Sequence, residues 1–352
     1  MSRFLSDRLQ SLEAYVPGEQ PRISNLIKLN TNESPFPPAP GVAEAVKKAA
    51  AKLQLYNDLK SEKLVRLLAD AYGVQENQVA VSNGSDEMLA FAFQAFGGKG
   101  LAFPDITYGF YSVWANLFGL DAKIIPLNER FEINVSDYQN LDRCVVIANP
   151  NAPTGKALWC DGLMEIAKSN PDSVLIVDEA YADFAVRPEV SALGLAPQWE
   201  NVLVVRTFSK SRQLAGARLG YAIGHEKLIE DLNRVRYSFH PYNVNALTQA
   251  AGTAALEDPE YFEACRKAVI ENREWTRDQL LKMGFTVMDS DANFLFAAAP
   301  NMSGAEYQRK LRERNILIRY FDQPRIRDFV RITIGNREQM EKLIAATKEI
   351  LA

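Results

Sequence analysis

The chain has 352 residues, of which 47% are hydrophobic and 24% are charged, and its formal net charge is −4. These values are typical of a globular protein with one large domain or two domains, and they argue against disordered, fibrous and membrane classes. No long basic run indicates a nucleic-acid or anionic membrane surface. The N-terminal sequence lacks the apolar segment of a signal peptide, so we expect a cytoplasmic protein.

Cysteine and histidine are scarce, which restricts the possible chemistry. The three cysteines lie far apart without CxxC spacing, so neither a disulfide framework nor a zinc site is expected. His225 and His240 are too few for a multi-histidine metal site or a triad, and we interpret His240 as an ordinary surface or packing residue. No metal is expected. Catalysis would therefore use lysine, carboxylate, tyrosine or a bound cofactor.

The first 40 residues are Pro-rich and irregular, which predicts an N-terminal arm that belongs to a smaller domain. The next two hundred residues or so alternate apolar runs with helical patterns such as SDEMLAFAFQAF and DGLMEIAKSN. Continuous apolar strands separated by helices predict a mostly parallel sheet sandwiched by helices. The predicted strands are 78–81, 100–103, 123–127, 144–148, 173–177 and 202–205.

The C-terminal third has a different pattern. A long amphipathic helix is predicted to begin at Asp258-Pro259 and to end at Gly284, because these residues are typical helix boundary signals. Shorter strands and helices follow in the runs FTVMDSDANFLFAA, SGAEYQRKLRERN, ILIRY and FVRITI. The predicted fold is therefore α/β, with a large domain of residues 41–245, a small α+β domain of residues 246–352 and an arm of residues 1–40.

Ligands of open parallel sheets bind beyond the carboxyl ends of the strands, so the residues there are candidates for a site. After strand 78–81, the run SNGSDEML places a Gly84-Ser85 turn before a helix, whose free N–H groups favour a phosphate. Ser85 is equally consistent with a helix N-cap. After strand 100–103, Tyr108 is placed either to stack on a planar ring or to pack in the core.

Two further motifs follow the strands 144–148 and 173–177. NPNAPTG offers the amide groups of Asn149 and Asn151, although all its residues are also turn formers. In DEAYADF, Asp178 is the first polar residue after an apolar strand, so its half-buried carboxylate needs a partner. Walker B segments have a similar pattern, but no G-x-x-x-x-G-K-[ST] motif is present to support nucleotide hydrolysis.

The last predicted strand is followed by TFSKSRQLAG, which contains Lys210. Partial burial and the like charges of Arg212 and Arg218 are expected to lower the pKa of its amine, which would make it a nucleophile and a base. A lone lysine is usually a surface residue. Here a lysine, a buried aspartate and a phosphate turn follow strands of one sheet, and these groups together hold pyridoxal phosphate: the lysine forms a Schiff base and the carboxylate pairs with the pyridine nitrogen.

The sequence resembles fold-type I aminotransferases of class I/II, and specifically the histidinol-phosphate aminotransferase group. NPNAPTG, DEAYADF and TFSKSRQLAGARLGYAIG are similar to successive signatures of that family. YVPGEQP and LNTNESPFPPAP are similar to its arm, and VRITIG to its substrate-arginine strand, so the resemblance covers nearly the whole chain. It implies a pyridoxal-phosphate transaminase, with histidinol phosphate and 2-oxoglutarate as the expected substrates in histidine biosynthesis.

The resemblance also implies a role for each cofactor residue. Lys210 would carry the cofactor and move a proton, Asp178 would pair with the ring nitrogen, and Tyr181 would hydrogen-bond the phenolic oxygen. Tyr108 would stack on the ring. The other residues expected to hold the cofactor are Ser85, Asp86, Asn151, Ser209 and Arg218.

Other residues are implied in substrate binding and assembly. Arg331, with Arg319 as a helper, would bind an anionic group of the substrate, and Tyr15 and Asn32 of the arm would contact the substrate. Tyr56 matches a residue that such enzymes lend to the phosphate site of the neighbouring subunit. This match implies a homodimer.

The chain departs from the family at two places. Ala152 occupies the position of a second asparagine that commonly contacts the phenolic oxygen, and Asn151 is the expected substitute. SRQLAG differs from the usual aromatic-Gly-Leu segment after the lysine. Aromatic-amino-acid aminotransferases and threonine-phosphate decarboxylases share these cofactor motifs and remain alternatives. A cofactor-binding regulatory module would carry a helix-turn-helix extension, for which no segment is left over.

Overall fold

The structure is a computed structural model that describes residues 3–10, 12–14, 18–19, 21 and 25–352. The strands are β1 Ile27–Leu29, β2 Val79–Ser82, β3 Leu101–Pro104, β4 Ala122–Ile125, β5 Cys144–Ala148, β6 Leu175–Asp178, β7 Val202–Thr207, β8 Gly220–Gly224, β9 Thr286–Val287, β10 Phe294–Ala298, β11 Ile316–Tyr320 and β12 Phe329–Thr333. The helices are α1 Gly41–Ala50, α2 Glu62–Tyr72, α3 Ser85–Phe96, α4 Phe110–Phe118, α5 Cys160–Ser169, α6 Glu226–Phe239, α7 Ala246–Leu256, α8 Pro259–Lys282, α9 Gly304–Arg312 and α10 Arg337–Leu351.

The larger sheet has the strand order β2-β8-β7-β6-β5-β3-β4. Strands β4, β3, β5, β6 and β7 run parallel to one another, whereas β8 is antiparallel to both β7 and β2. The predicted mostly parallel sheet is therefore confirmed. Strand β8 was outside the predicted strands, because two of its five residues are glycines and weaken the strand pattern.

Both faces of the larger sheet are buried. Val145 and Ile147 of β5 pack in one core with α2, α5 and α7, and Val146 and Ala148 pack in the other core with α3, α4 and α6. Since successive side chains of a strand point to opposite faces, a strand covered on both sides must be apolar at every position. This requirement explains the continuous apolar runs in the sequence.

The smaller sheet has the strand order β1-β11-β12-β10-β9. Strand β1 pairs parallel with β11, with Ile27 opposite Ile316, and the other pairs are antiparallel. The prediction of an irregular arm is therefore wrong for residues 27–29. Their partner strand lies near the other end of the chain, so no local sequence pattern reveals the pairing.

Helices α7 and α8 connect the larger sheet to the smaller one. Helix α8 begins after Asp258, whose side chain caps it, and ends shortly before Gly284, as predicted. Helix α7 lies beyond residue 245, the predicted end of the large domain, yet Ala251 packs in the core of the larger sheet. The core of the larger sheet therefore extends past that position. In the part of the chain that is described, no helix has the length and apolarity needed to cross a bilayer.

A close backbone approach fixes the start of α3. Gly220, at the first position of β8, lies against the turn formed by Gly84 and Ser85. A Cβ atom at residue 220 would lie 2.3 Å from the Ser85 amide nitrogen and 2.4 Å from the Gly84 carbonyl carbon. The absence of a side chain at this glycine therefore lets the amide groups of the turn reach the end of the sheet.

We expect Gly220→Ala to destabilise the protein by roughly 1–3 kcal/mol, because the backbone of the turn has to move to admit the methyl group. Urea unfolding measures this loss as a change in the free energy of unfolding. Gly98→Ala is the matched control, since nothing lies within 4 Å of a Cβ at that exposed position. Equal stabilities of the two variants would contradict the close approach.

Candidate active site

A cavity of about 490 Å³ lies between the carboxyl ends of the larger sheet and the strands β11 and β12 of the smaller sheet. Its wall brings together residues from segments that are far apart in the sequence. The predicted site residues that line it are Asn32, Ser85, Asp86, Tyr108, Asp178, Tyr181, Ser209, Lys210, Arg218, Arg319 and Arg331. The prediction that these strand ends form one site is thereby supported by their positions.

Asp178 is the last residue of β6, and its carboxylate is more deeply buried than predicted, with 5% of the residue exposed. Its Oδ2 accepts a hydrogen bond from the hydroxyl of Tyr111 at 2.7 Å, and its Oδ1 accepts one from the Ala180 amide at 3.3 Å. Burial disfavours the charged form and raises the pKa of Asp178 to about 6. The carboxylate is therefore ready to bind a cationic N–H group.

Tyr111 contacts the Asp178 carboxylate, and sequence reasoning missed it. Its ring is fully buried in α4, and its hydroxyl is the side-chain partner of the Asp178 carboxylate. The segment TYGFYSVW contains several aromatic residues, and only Tyr108 was singled out from it. Tyr111 and Asp178 lie 67 residues apart in the sequence. No local pattern therefore distinguished Tyr111 from a core aromatic residue.

Lys210 is half-buried, and its Nζ donates a hydrogen bond to the Thr31 carbonyl oxygen at 3.3 Å. Burial, and after it the positive charge of Arg331, lower the pKa of the Lys210 amine to about 8. The expected contribution of Arg212 is wrong, because its guanidinium donates to the Ala255 carbonyl oxygen and lies over a ring of another residue. Proximity in the sequence did not predict the direction of that side chain.

The N-terminus of α3 forms one end of the cavity. Gly84 occupies the N-cap position with φ +85°, and Ser85 is the first helical residue, so the alternative of Ser85 as N-cap is wrong. Glycine has no side chain to cap the first amide groups, which leaves them available to an anion. Ser209 is hydrogen-bonded to the Thr207 hydroxyl and lines this end of the cavity together with Arg218. This arrangement fits a phosphate group.

Asp86 links the phosphate end of the cavity to its aromatic wall. Its Oδ1 accepts a hydrogen bond from the hydroxyl of Tyr108 at 2.9 Å, and its Oδ2 accepts one from Arg218 Nη2 at 2.9 Å. Both partners also line the cavity. The Asp86 carboxylate therefore orients two of the predicted cofactor residues, a contact that the prediction of its backbone amide did not include.

Asn151 is a predicted cofactor residue that the structure does not bring to the cavity wall. Its amide nitrogen donates to the Ile106 carbonyl oxygen and to Thr154 Oγ1, and its Oδ1 accepts from Thr107 Oγ1. These bonds fix the NPNAPTG loop. The neighbouring Ala152 lines the cavity instead, so the side chain of Asn151 has a structural role here.

Arg319 and Arg331 form a cationic wall opposite the larger sheet. They are directly paired across the antiparallel strands β11 and β12. Each guanidinium carbon lies near the ring of Phe321, at 5.4 Å for Arg319 and 5.5 Å for Arg331 from the ring centroid. Two guanidinium groups on one wall fit an anionic group of a substrate.

The remaining two predicted residues lie elsewhere. Tyr56 is 84% exposed and stacks on Tyr242 with a centroid distance of 4.7 Å, away from the cavity of its own chain. Tyr15 lies outside the described residues. Its described neighbours Glu13 and Ala14 line the cavity.

A buried ion network lies behind the cavity and joins the segments of Asp178 and Lys210. Arg206 in β7 is bonded to Glu179 at 2.6 Å and to Asp183 at 2.8 Å. Asp183 also accepts a hydrogen bond from Ser211, which follows Lys210 directly. The network therefore fixes the chain on both sides of the cavity wall with charged contacts that are screened less than surface ion pairs, because Arg206 and Glu179 are buried.

The fold and the site are those of an aminotransferase. Residues 24–346 match Aminotransferase class I and II, so the chain belongs to this family. A histidinol-phosphate aminotransferase from Brachyspira hyodysenteriae is 46% identical over 354 residues, which cover 100% of this chain and 99% of that protein. A second one, from Marinomonas sp., is 48% identical over 356 residues and covers 99% and 100% of the two chains.

A solved structure supports the fold. Histidinol-phosphate aminotransferase from Sinorhizobium meliloti, in complex with pyridoxal-5'-phosphate, aligns with a TM-score of 0.86 over 100% of this chain and 98% of that chain. The identity is 23%, so this similarity bears on the fold alone. The predicted fold class and family are confirmed.

Asp178→Asn is expected to stabilise the cofactor-free protein at pH 7.5 by roughly 1–3 kcal/mol. The folded-state pKa of about 6 lies above the ordinary value of 3.8, so the stability from protonated Asp178 is complete below pH 3.8 and is lost as the pH rises through 6. An amide carries no charge and avoids this loss. Urea unfolding between pH 5 and 8 measures the difference, which should shrink at the acidic end.

Asp231→Asn provides the control for this measurement, because Asp231 is an exposed carboxylate on α6. We expect its stability to follow that of the wild type at every pH. A stability of Asp178→Asn that also follows the wild type at pH 7.5 would contradict the burial of the charged carboxylate.

Proposed function

We propose that the protein is a pyridoxal-phosphate-dependent aminotransferase that transfers the amino group of histidinol phosphate to 2-oxoglutarate in histidine biosynthesis. The observation that carries this proposal is the convergence, in one cavity, of the Lys210 amine, the buried Asp178 carboxylate and the free amide groups of α3. The two bacterial relatives that align over the whole chain support the reaction and its substrate.

The polar groups of the cavity fit the cofactor at both of its ends. The amide groups of Ser85 and Asp86, with Ser209 and Arg218, would hold the phosphate. Asp178 would keep the ring nitrogen protonated, because a buried carboxylate strongly favours a cationic partner. When bound, pyridoxal phosphate supplies an electron-withdrawing ring that stabilises negative charge on the carbon next to the amino group.

Tyr108 and Tyr181 would hold the ring from different directions. Tyr108 is oriented by its hydrogen bond to Asp86 and would cover one face of the ring. Tyr181 would donate its hydroxyl proton to the phenolic oxygen. Burial raises the pKa of Tyr181, so this hydroxyl keeps its proton near neutral pH.

Lys210 would be both the attachment point and the proton carrier. Because its pKa is lowered to about 8, a substantial fraction of the amine is neutral close to physiological pH. A neutral amine can accept a proton from the amino-bearing carbon of the substrate and return it later. Its hydrogen bond to the Thr31 carbonyl oxygen holds it at the inner wall of the cavity.

The cationic wall would select the substrates. Histidinol phosphate and 2-oxoglutarate each carry an anion several bonds from the reacting carbon, and both use the same site in a ping-pong reaction. Arg331 and Arg319 would bind these anions, because paired guanidinium groups match phosphate and carboxylate oxygens. Tyr15 would close over the substrate from the arm.

We also propose a homodimer in the cytoplasm. The segment around Tyr56 exposes several apolar side chains, with Leu53 at 55%, Leu55 at 64% and Tyr56 at 84% exposure, and Tyr242, which stacks on Tyr56, is 37% exposed. Exposed apolar patches of this kind mark protein interfaces. In a dimer, Tyr56 of one protomer would reach the phosphate end of its partner's cavity.

A panel of amino donors tests the substrate assignment. With 2-oxoglutarate as acceptor, we expect kcat/KM for histidinol phosphate to exceed that for phenylalanine, tyrosine and threonine phosphate by roughly 100-fold or more. The reason is that polar groups of the site that pair with histidinol phosphate would remain unpaired when another amino donor binds. A preference for the aromatic amino acids, or release of carbon dioxide from threonine phosphate, would replace the proposed substrate with one of the alternatives on the same fold.

Measuring the Arg331→Gln variant with the same amino donors tests whether the cationic wall causes the preference for histidinol phosphate. The substitution should lower kcat/KM for histidinol phosphate by roughly 10–100-fold, as expected for loss of a charge-assisted hydrogen bond. Arg234→Gln is the matched control, because Arg234 is an exposed arginine on α6. Its kinetics should equal those of the wild type.

A further inference from the structure

The hydroxyl of Tyr181 has a hydrogen-bond direction that the surrounding residues determine. Asn32 Nδ2 donates a hydrogen bond to Tyr181 Oη at 3.0 Å. A phenol has one proton and can both donate and accept. Since Tyr181 Oη accepts from Asn32, its own proton is directed away from Asn32.

The orientation of the Asn32 side chain is itself fixed by Thr333. The backbone N–H of Asn32 donates to Thr333 Oγ1 at 3.0 Å, so this hydroxyl acts as an acceptor there. Thr333 Oγ1 then donates its proton to Asn32 Oδ1 at 2.9 Å. With Oδ1 bound to a donor, Nδ2 must face Tyr181, and the amide has one consistent orientation.

Burial makes this orientation costly to change. Asn32 is 1% exposed and Thr333 is 2% exposed, so water does not replace a lost partner. Asn32 has φ +55°, a conformation that asparagine tolerates better than most residues. Its carbonyl oxygen also accepts a hydrogen bond from Asn293 Nδ2 at 3.1 Å.

The adjacent cavity wall offers no competing side-chain donor from the NPNAPTG loop. Ala152 and Pro153 line the cavity there, and neither side chain has an N–H or O–H group. The Asn151 amide is bonded to Ile106 and Thr154. In this part of the wall, the Tyr181 hydroxyl is therefore the side-chain donor that can form a hydrogen bond to a ligand oxygen.

We propose that Asn32 and Thr333 are positioning residues that aim the Tyr181 hydroxyl proton into the cavity, toward the phenolic oxygen of the cofactor. This inference rests on the proposed function. It assigns to Asn32 an effect on the cofactor that passes through Tyr181, in place of the substrate contact that the resemblance implied. Thr333 does not line the cavity, so its effect would be transmitted entirely through Asn32.

The pH dependence of the cofactor absorbance reports this effect. With the cofactor bound, a hydrogen bond donated by the Tyr181 hydroxyl would stabilise the negative charge of the phenolic oxygen and so would lower the pH midpoint of the absorbance change. We expect Tyr181→Phe to raise that midpoint by about 1 pH unit. Thr333→Val should raise it by a smaller amount, about half a unit, because it releases the Asn32 amide.

A double-variant cycle separates positioning from general structural damage. In the Tyr181→Phe background, Thr333→Val should produce no further shift, because the hydroxyl that it orients is already gone. Thr333→Ser keeps the hydroxyl and should restore the wild-type midpoint. Thr276→Val is the matched control, since Thr276 is an equally buried threonine in α8, outside the cavity.

Asn32→Ala extends the cycle to Asn32, which lies between Thr333 and Tyr181 in the hydrogen-bond chain. Its midpoint should rise as in Thr333→Val, with kcat reduced more than KM is raised. A raised KM with an unchanged midpoint would overturn the inference and assign Asn32 to the substrate, as would a Thr333→Val shift that persists in the Tyr181→Phe background. A wild-type protein that binds no pyridoxal phosphate would instead overturn the proposed function itself.

Discussion

The fold buries the carboxylate of Asp178 at the carboxyl end of a central strand of the parallel sheet. Its position follows from the sheet, because β6 is central and buried on both faces and its last residue must face the cavity. A lone buried carboxylate is unfavourable, and the Tyr111 hydroxyl offsets only part of this penalty. The protein thus keeps a group whose folded environment favours a cationic ligand, and the Lys210 amine faces the same cavity.

Charged contacts behind the cavity maintain the geometry of these two groups. Arg206 is buried with Glu179 and Asp183, and the network continues to Ser211 beside Lys210. Buried ion pairs contribute little net stability but impose a specific arrangement, since each unpaired charge would be strongly unfavourable. We infer that the network fixes the β6 and β7 ends relative to each other, whereas the smaller sheet supplies the substrate wall.

Sequence patterns predicted the features that depend on local order. Continuous apolar strands indicated a two-sided sheet, and the rule that ligands bind at strand ends led to Asp178 and Lys210. Features that depend on distant pairing were missed. Arg218 lowers the Lys210 pKa as predicted, but Arg331 has the larger effect and Arg212 was wrongly expected to contribute, because the smaller sheet places Arg331 across the cavity. Tyr111 resembled a core aromatic, and β8 was obscured by its glycines.

Borohydride reduction of the purified protein tests most directly whether Lys210 carries the cofactor across the cavity from Asp178. Reduction makes the bond between the cofactor and its lysine permanent, and peptide mass spectrometry then locates the modified residue. We expect the added mass on the peptide that contains Lys210, and no such peptide in Lys210→Ala. A cofactor attached to another lysine, or to none, would contradict the account.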